Sequence, residues 1–204
     1  MTAKAIHLAP VPLPISTFRF DADRHDYIET ATGVVLPHIT GMLERAGWID
    51  DRWYTDESCE RGHQVHRLTA DVDLGAIEPY DVQGKYRSYV LAYVDAMKII
   101  PHDWQGIEEP LVHPTFRFGG RADRRGRIYT AQGVMEIKSG LVDKAHPIQT
   151  ALQAILVAPL LGIPSEIVDR FCLYVKPTGR WKLEQHRERR DLIEAQRIIR
   201  LCCT

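Results

Sequence analysis

Phe118-Gly119-Gly120-Arg121-Ala122-Asp123-Arg124-Arg125-Gly126-Arg127, followed by Gly133-Val134-Met135-Glu136-Ile137-Lys138, places two acids and a lysine within one short span of the chain. Arg124 to Arg127 reads as a tight turn. Arg127 to Thr130 and Gly133 to Ile137 are β-prone, so Asp123 and Glu136 are expected on or beside neighbouring strands of one antiparallel ribbon. The two-residue period of a strand puts Glu136 and Lys138 on the same face. Two carboxylates beside an ammonium are suited to hold a hard divalent cation, Mg²⁺ or Mn²⁺, for phosphodiester hydrolysis.

The surrounding chain has the size and composition of one α/β domain. It holds 204 residues, 26% charged and 45% hydrophobic, with a formal net charge of −1. That balance argues against a protein that coats nucleic acid passively, but not against local recognition of a few phosphates. Four scattered cysteines do not make a disulfide framework. Residues 1–15, with Pro10, Pro12 and Pro14, read as a flexible N-terminal arm without a leader-like apolar core. No apolar run reaches membrane-spanning length, so no membrane partner and a cytoplasmic location are expected.

Working outward from the acids, Thr17 to Phe20 and Tyr27 to Thr30 read as an opening hairpin. Pro37 leads into a helix over Ile39 to Ala46 that Gly47 stops. Asp56-Glu57-Ser58 reads as the cap region of a helix carrying Gly62, His63 and His66. Tyr86, Tyr89, Val90, Tyr93, Val94 and Met97 make a core-facing stripe on a helix within Asp81 to Ile99. Strands are expected over Glu108 to Val112 and Thr115 to Gly120. Beyond the ribbon, Ala145 to Leu161 is an apolar helix with Gln149 and Gln153 one turn apart. Ile167 to Lys176 and Trp181 to His186 form a hairpin around Pro177-Thr178-Gly179-Arg180, and Arg187 to Leu201 is a charged closing helix.

These elements together resemble the PD-(D/E)XK nuclease superfamily, and within it the RecB-type exonuclease branch that includes phage exonucleases and the mitochondrial genome-maintenance exonuclease. The resemblance rests on elements in order: His25-Asp26-Tyr27, Leu36-Pro37-His38-Ile39-Thr40, Gly62-His63-Gln64-Val65-His66, Gly120-Arg121-Ala122-Asp123, Glu136-Ile137-Lys138, and a helix bearing Gln149. Position 38 is histidine where the family usually has serine, and Gln153 stands where an aromatic is common. The resemblance implies an α/β fold with a restriction-endonuclease-like core, a central mixed β-sheet flanked by helices, as one nuclease domain over residues 16–204.

It further implies that His66, Asp123 and Glu136, with the carbonyl of Ile137, are metal ligands. Lys138 is then the catalytic lysine, as base or as electrostatic stabiliser, and Gln149 a positioning residue. An upstream glutamate, Glu108 or Glu109, is a further candidate. Arg121, His146, Gln153, Lys176 and Arg180 are candidates for touching substrate, as is Glu108. Lys176, Arg180, Lys182, Arg187, Arg189 and Arg190 read either as a phosphate track or as a solvated face. Trp53, Tyr54 and Trp104 read as core aromatics or as stacking platforms. A zinc reading of Cys59, His63 and His66 lacks a fourth ligand at finger spacing. An iron–sulfur cluster is not expected, because adjacent Cys202 and Cys203 do not fit the spacing of cluster-bearing relatives.

The expected function is a metal-dependent DNA exonuclease acting on single-stranded ends in phage or bacterial recombination or repair. A homo-oligomer or a recombination protein would be its partner besides DNA. An endonuclease of the same superfamily, or a non-catalytic nucleic-acid-binding module, is the alternative.

Overall fold

The structure is a computed structural model that describes residues 18–50, 52 and 55–203. The expected N-terminal arm, Trp53 and Tyr54 lie outside the described residues. Strands β1 (Phe18–Asp21) and β2 (Asp26–Glu29) form the opening hairpin, and β3 (Val35–Leu36) pairs with β2. Helix α1 (Ile39–Arg45) begins at His38, whose Nδ1 accepts the Gly41 N–H, so an imidazole serves as N-cap. Helix α2 (Asp56–Asp73) opens with a reciprocal cap between Thr55 and Ser58. Then follow α3 (Arg87–Ile99), β4 (His102–Ile107), β5 (Leu111–Val112), β6 (Gly119–Gly120), β7 (Arg124–Ile128) and β8 (Ala131–Lys138). The chain closes with α4 (Ala145–Leu161), β9 (Asp169–Val175), β10 (Trp181–Gln185) and α5 (Arg189–Cys202).

The main sheet has five strands in the order β10-β9-β8-β7-β4. β8 and β9 are parallel, and the other neighbours are antiparallel. A parallel pair needs a crossover, which α4 supplies. Alternation along the strands then sorts the residues into two layers. Met135, Ile137, Phe171 and Leu173 pack against α2 and α3 through Val65 and Tyr93. On the opposite face, Val134 meets Ala154 and Val157 of α4. Helices α1 and α5 complete that layer, with Met42, Leu152 and Ile198 in one cluster. The result is the expected α/β architecture, a central mixed sheet flanked by helices.

Some local expectations fail for physical reasons. Arg124 to Arg127 are strand β7 itself, and the turn is Tyr129-Thr130, between the last pair Ile128 and Ala131. Arginine pairs look solvent-seeking, but Arg124 and Arg125 reach the carboxylates of Asp73 and Glu109, which removes much of the penalty of bringing them inward. Gly126 is required by close approach, since a Cβ there would lie 2.1 Å from the Asp103 carbonyl oxygen. Strand β4 has no apolar alternation because it is the sheet edge, with an irregularity between Trp104 and Gly106. Helix α3 occupies Arg87 to Ile99 of the stretch expected to hold it, after Gly84 at φ 81°.

Thr115 to Phe118 is a turn rather than a strand. His113 Nδ1 accepts the N–H groups of Thr115 (3.2 Å) and Phe116 (3.0 Å), with Arg117 at φ 53°. The ring stacks on Phe116 and Phe118, and burial pushes its pKa down to about 4. A histidine neutral in the fold takes up a proton on unfolding between that value and its ordinary 6.5. Its contribution is therefore complete above 6.5 and is lost as the pH falls towards 4. Urea unfolding should show about 2 kcal/mol less stability at pH 4.5 than at pH 7.5 from this group. His113→Asn, which keeps an acceptor but no imidazole, should flatten that dependence. An unchanged slope would assign the acid sensitivity to other groups.

Candidate metal centre

Asp123 is the residue immediately before β7, and Glu136 lies near the end of β8, so the hairpin register brings them together. The last β7–β8 pair is Arg124 with Met135. Beyond it the N–H of Ile137 has no partner on β7, and it donates to Asp123 Oδ2 at 2.6 Å. An extended residue directs its N–H and C=O to the same edge, so the Ile137 carbonyl also faces the Asp123 side. Asp123 Oδ1 faces His66 Nδ1 of α2 at 3.1 Å. His66, Asp123 and Glu136 each offer a ligand atom, all within 4.8 Å of one another.

Both oxygens of Glu136 are fixed from behind. Oε1 accepts Lys138 Nζ (2.8 Å) and Gln149 Nε2 (2.7 Å), while Oε2 accepts Gln153 Nε2 (2.6 Å). Gln153 also donates to the Arg121 carbonyl at 3.1 Å. It is 1% exposed, so its amide braces the carboxylate from inside the protein. The helix that connects β8 to β9 thus also orients one acid of the centre.

Glu108 joins this group, and Glu109 does not. Glu108 lies 3.6 Å from His66 Nδ1 and 3.2 Å from Arg121 Nε, whereas Glu109 pairs with Arg125. Glu108 holds a left-handed backbone, φ 48°, and its Oε1 is buried without a hydrogen bond. A strained residue with an orphaned acceptor beside three potential ligands suits a cation site. The hard carboxylate oxygens and one imidazole fit Mg²⁺ or Mn²⁺ better than a thiolate-seeking metal. Glu108→Gly relieves the backbone strain and removes the carboxylate. It should melt within a few degrees of wild type by circular dichroism yet bind Mn²⁺ about tenfold more weakly by calorimetry. Unchanged affinity would exclude Glu108 from the centre.

The field of the acids governs both cations here. Burial lowers the proton affinity of His66, but the charge and hydrogen bond of Asp123, with Glu108 and Glu136, raise its pKa to about 10. Burial likewise opposes charge on Lys138, and Glu136 and Asp123 overcome it, holding the lysine above its ordinary value. In this arrangement Lys138 Nζ donates to Glu136 Oε1 at 2.8 Å.

The other candidates divide by position. Arg121 sits at the rim, with its guanidinium 5.8 Å from the centre of the Phe20 ring. His146 Nδ1 pairs with Tyr174 Oη at 2.9 Å, and burial pushes its pKa down to about 4, so the ring is neutral. Lys176 Nζ donates to the Gly140 carbonyl at 2.8 Å, and Arg180 is exposed on the β9–β10 turn. Arg187, Arg189 and Arg190 lie at the other end of β10, which divides the basic set into two. Trp104 stacks on His102 on β4. Cys59 is exposed on α2, Cys172 is buried in β9 opposite Glu136, and Cys202 and Cys203 end α5.

Three residues without a sequence motif stand directly behind the centre. Arg124 is 0% exposed. Its Nε meets Asp73 Oδ2 at 2.5 Å, and its Nη1 donates to the Asp123 carbonyl at 2.7 Å. Tyr93 Oη donates to the same Asp73 oxygen at 2.5 Å. The only signal in the sequence is an arginine directly after the aspartate in a β-prone stretch. Asp73 and Tyr93 read as a helix end and a core aromatic.

No protein-family model matches the chain, and no curated protein matches it. Among solved structures, the chain is similar to a provisionally designated exonuclease from Eubacterium rectale. The two are 13% identical, with a TM-score of 0.44, covering 79% of this chain and 69% of that one. Among the described residues, no helix is long and apolar enough to cross a membrane.

Proposed function

We propose that this chain is a PD-(D/E)XK-type deoxyribonuclease that hydrolyses DNA phosphodiesters with Mg²⁺ or Mn²⁺. The observation that carries this is the convergence of His66, Asp123 and Glu136 within 4.8 Å, with Lys138 bonded to Glu136. When bound, the metal would polarise a phosphate oxygen and activate a water. His66, once the metal has displaced its proton, would hold it together with Asp123, Glu136 and the Ile137 carbonyl. Gln149 and Gln153 fix both oxygens of Glu136, so the ligand geometry is set before substrate arrives. Lys138 places a positive charge where the attacked phosphate gains negative charge. Arg121, at the rim beside Glu108, would steady a neighbouring phosphate.

An exonuclease on single-stranded ends, in a phage or bacterial recombination or repair setting, is the activity we favour. The test is cleavage of 5′- and 3′-labelled single-stranded, duplex and closed circular DNA with Mg²⁺, Mn²⁺ or EDTA, beside Glu136→Ala and Lys138→Ala. Metal-dependent loss of linear but not circular DNA, absent in both variants, is the expected result. Cleaved circles would make it an endonuclease. Binding without any cleavage would leave a nucleic-acid-binding module.

A further inference from the structure

We propose, on the nuclease reading of the metal centre, that the loop tip Leu141-Val142 is an apolar contact for a nucleobase of the substrate strand beside that centre. Leu141 is 85% exposed, the highest value of any large apolar side chain among the described residues, and Val142 beside it is 57% exposed. Single exposed apolar residues are ordinary on a protein surface. Two in sequence, on the loop that leaves the strand bearing Glu136 and Lys138, offer a joint apolar area at the mouth of the centre.

The strands fix where this tip lies. β8 and β9 run parallel, with Lys138 paired to Tyr174, so both leave the sheet at the same end. The metal centre gathers towards that end through Glu136, the Ile137 N–H and Lys138. Leu141 is three residues beyond Lys138, so their Cα atoms are at most about 11 Å apart. That distance is about three nucleotides of a stacked strand. A strand with one phosphate at Lys138 therefore has a base within reach of the tip.

Both shoulders of the tip are pinned. On the strand side, Lys176 Nζ donates to the Gly140 carbonyl at 2.8 Å. On the helix side, Asp143 Oδ1 accepts the Ala145 N–H at 2.7 Å, and the Asp143 N–H is given to His146 Nδ1 at 3.3 Å. An apolar group already held in place loses little freedom when it meets a base. The occupant follows from the charge around it. Lys138 precedes the tip, Lys144 follows it, Lys176 stands at its base, and Arg180 lies on the turn whose carbonyl accepts the Lys176 N–H. The acid of the loop, Asp143, is turned to the start of α4. Apolar side chains framed by cations match a nucleotide, with the base on the tip and backbone phosphates on the lysines.

The test is fluorescence anisotropy on the full chain in EDTA at low salt, where binding is read without cleavage. The probes are a labelled single-stranded oligonucleotide and the same strand with abasic tetrahydrofuran units in place of its nucleosides. Wild type is compared with Leu141→Ser/Val142→Ser, whose exposed positions leave the core untouched, and with Leu141→Phe. Wild type should bind the base-bearing strand about fivefold more tightly than the abasic one. The double variant should lose that preference while holding the abasic strand as wild type does, and Leu141→Phe should keep it. Equal preference in wild type and double variant, equal weakening on both strands, or no preference or binding by wild type overturns the contact. Cleavage of labelled DNA with Mn²⁺ is measured separately. Cleavage without a base preference sinks the loop contact alone, and a base preference without cleavage sinks the enzyme alone.

Discussion

Glu136→Gln should lower metal-dependent cleavage by roughly 10³-fold while the chain still folds. The substitution keeps the shape and removes the charge. Lys138, Gln149 and Gln153 all donate to this side chain. An amide accepts through one atom and presents its own donors through the other, so donor faces donor at one oxygen position. That costs about 1–3 kcal/mol, while relief of repulsion from Asp123 and Glu108 works the other way. Stability should therefore change far less than function. Initial rates on labelled DNA and Mn²⁺ titration measure the two losses together. A variant retaining a tenth of the wild-type rate would remove Glu136 from the chemistry.

Arg124→Met should cost about 3–5 kcal/mol in urea unfolding, among the largest effects of any single change in the sheet. The loss comes from what is left behind. Asp73 keeps a largely buried carboxylate with the neutral Tyr93 hydroxyl as its hydrogen-bond donor and no counter-charge from Arg124, and the Asp123 carbonyl loses its donor. Pairing Arg124→Met with Asp73→Asn removes both charges and should recover part of the loss, since partners in one network are not additive. Arg124→Lys keeps the charge without the planar fork and should fall between. If the single and double substitutions cost the same, the pair is not coupled and Arg124 acts by packing alone.

The parts of this molecule that were legible in the sequence are those set by local rules. The β8 strand, the full span of α4 and the β9–β10 hairpin follow from period and turn residues. The grouping of His66, Asp123 and Glu136 was expected from a resemblance of ordered elements, and their geometry is consistent with it. What stayed hidden depends on long-range contact. Arg124, read as part of a turn, becomes a buried strand residue only when Asp73 arrives from α2, and β4 has no expected counterpart because an edge strand has no second neighbour to bury against. Neither the choice of Glu108 over Glu109 nor the turn at His113 follows from propensity. The first is set by a left-handed backbone, the second by an imidazole acting as acceptor for two N–H groups.

The crossover helix has a consequence for when the centre comes into being. The centre's groups come from α2, the residues just after β4 and just before β7, β8 and α4, and the strand that locks β8 in place follows α4 in the chain. No early fragment contains the whole set, and the contacts that align it have high contact order, so they form late in folding. Emerging from the ribosome, the chain would carry His66 and the Asp123–Glu136 hairpin out of alignment with Gln149 and Gln153 of α4 until β9 docks beside β8. Completion of the centre is thereby expected only near the end of synthesis.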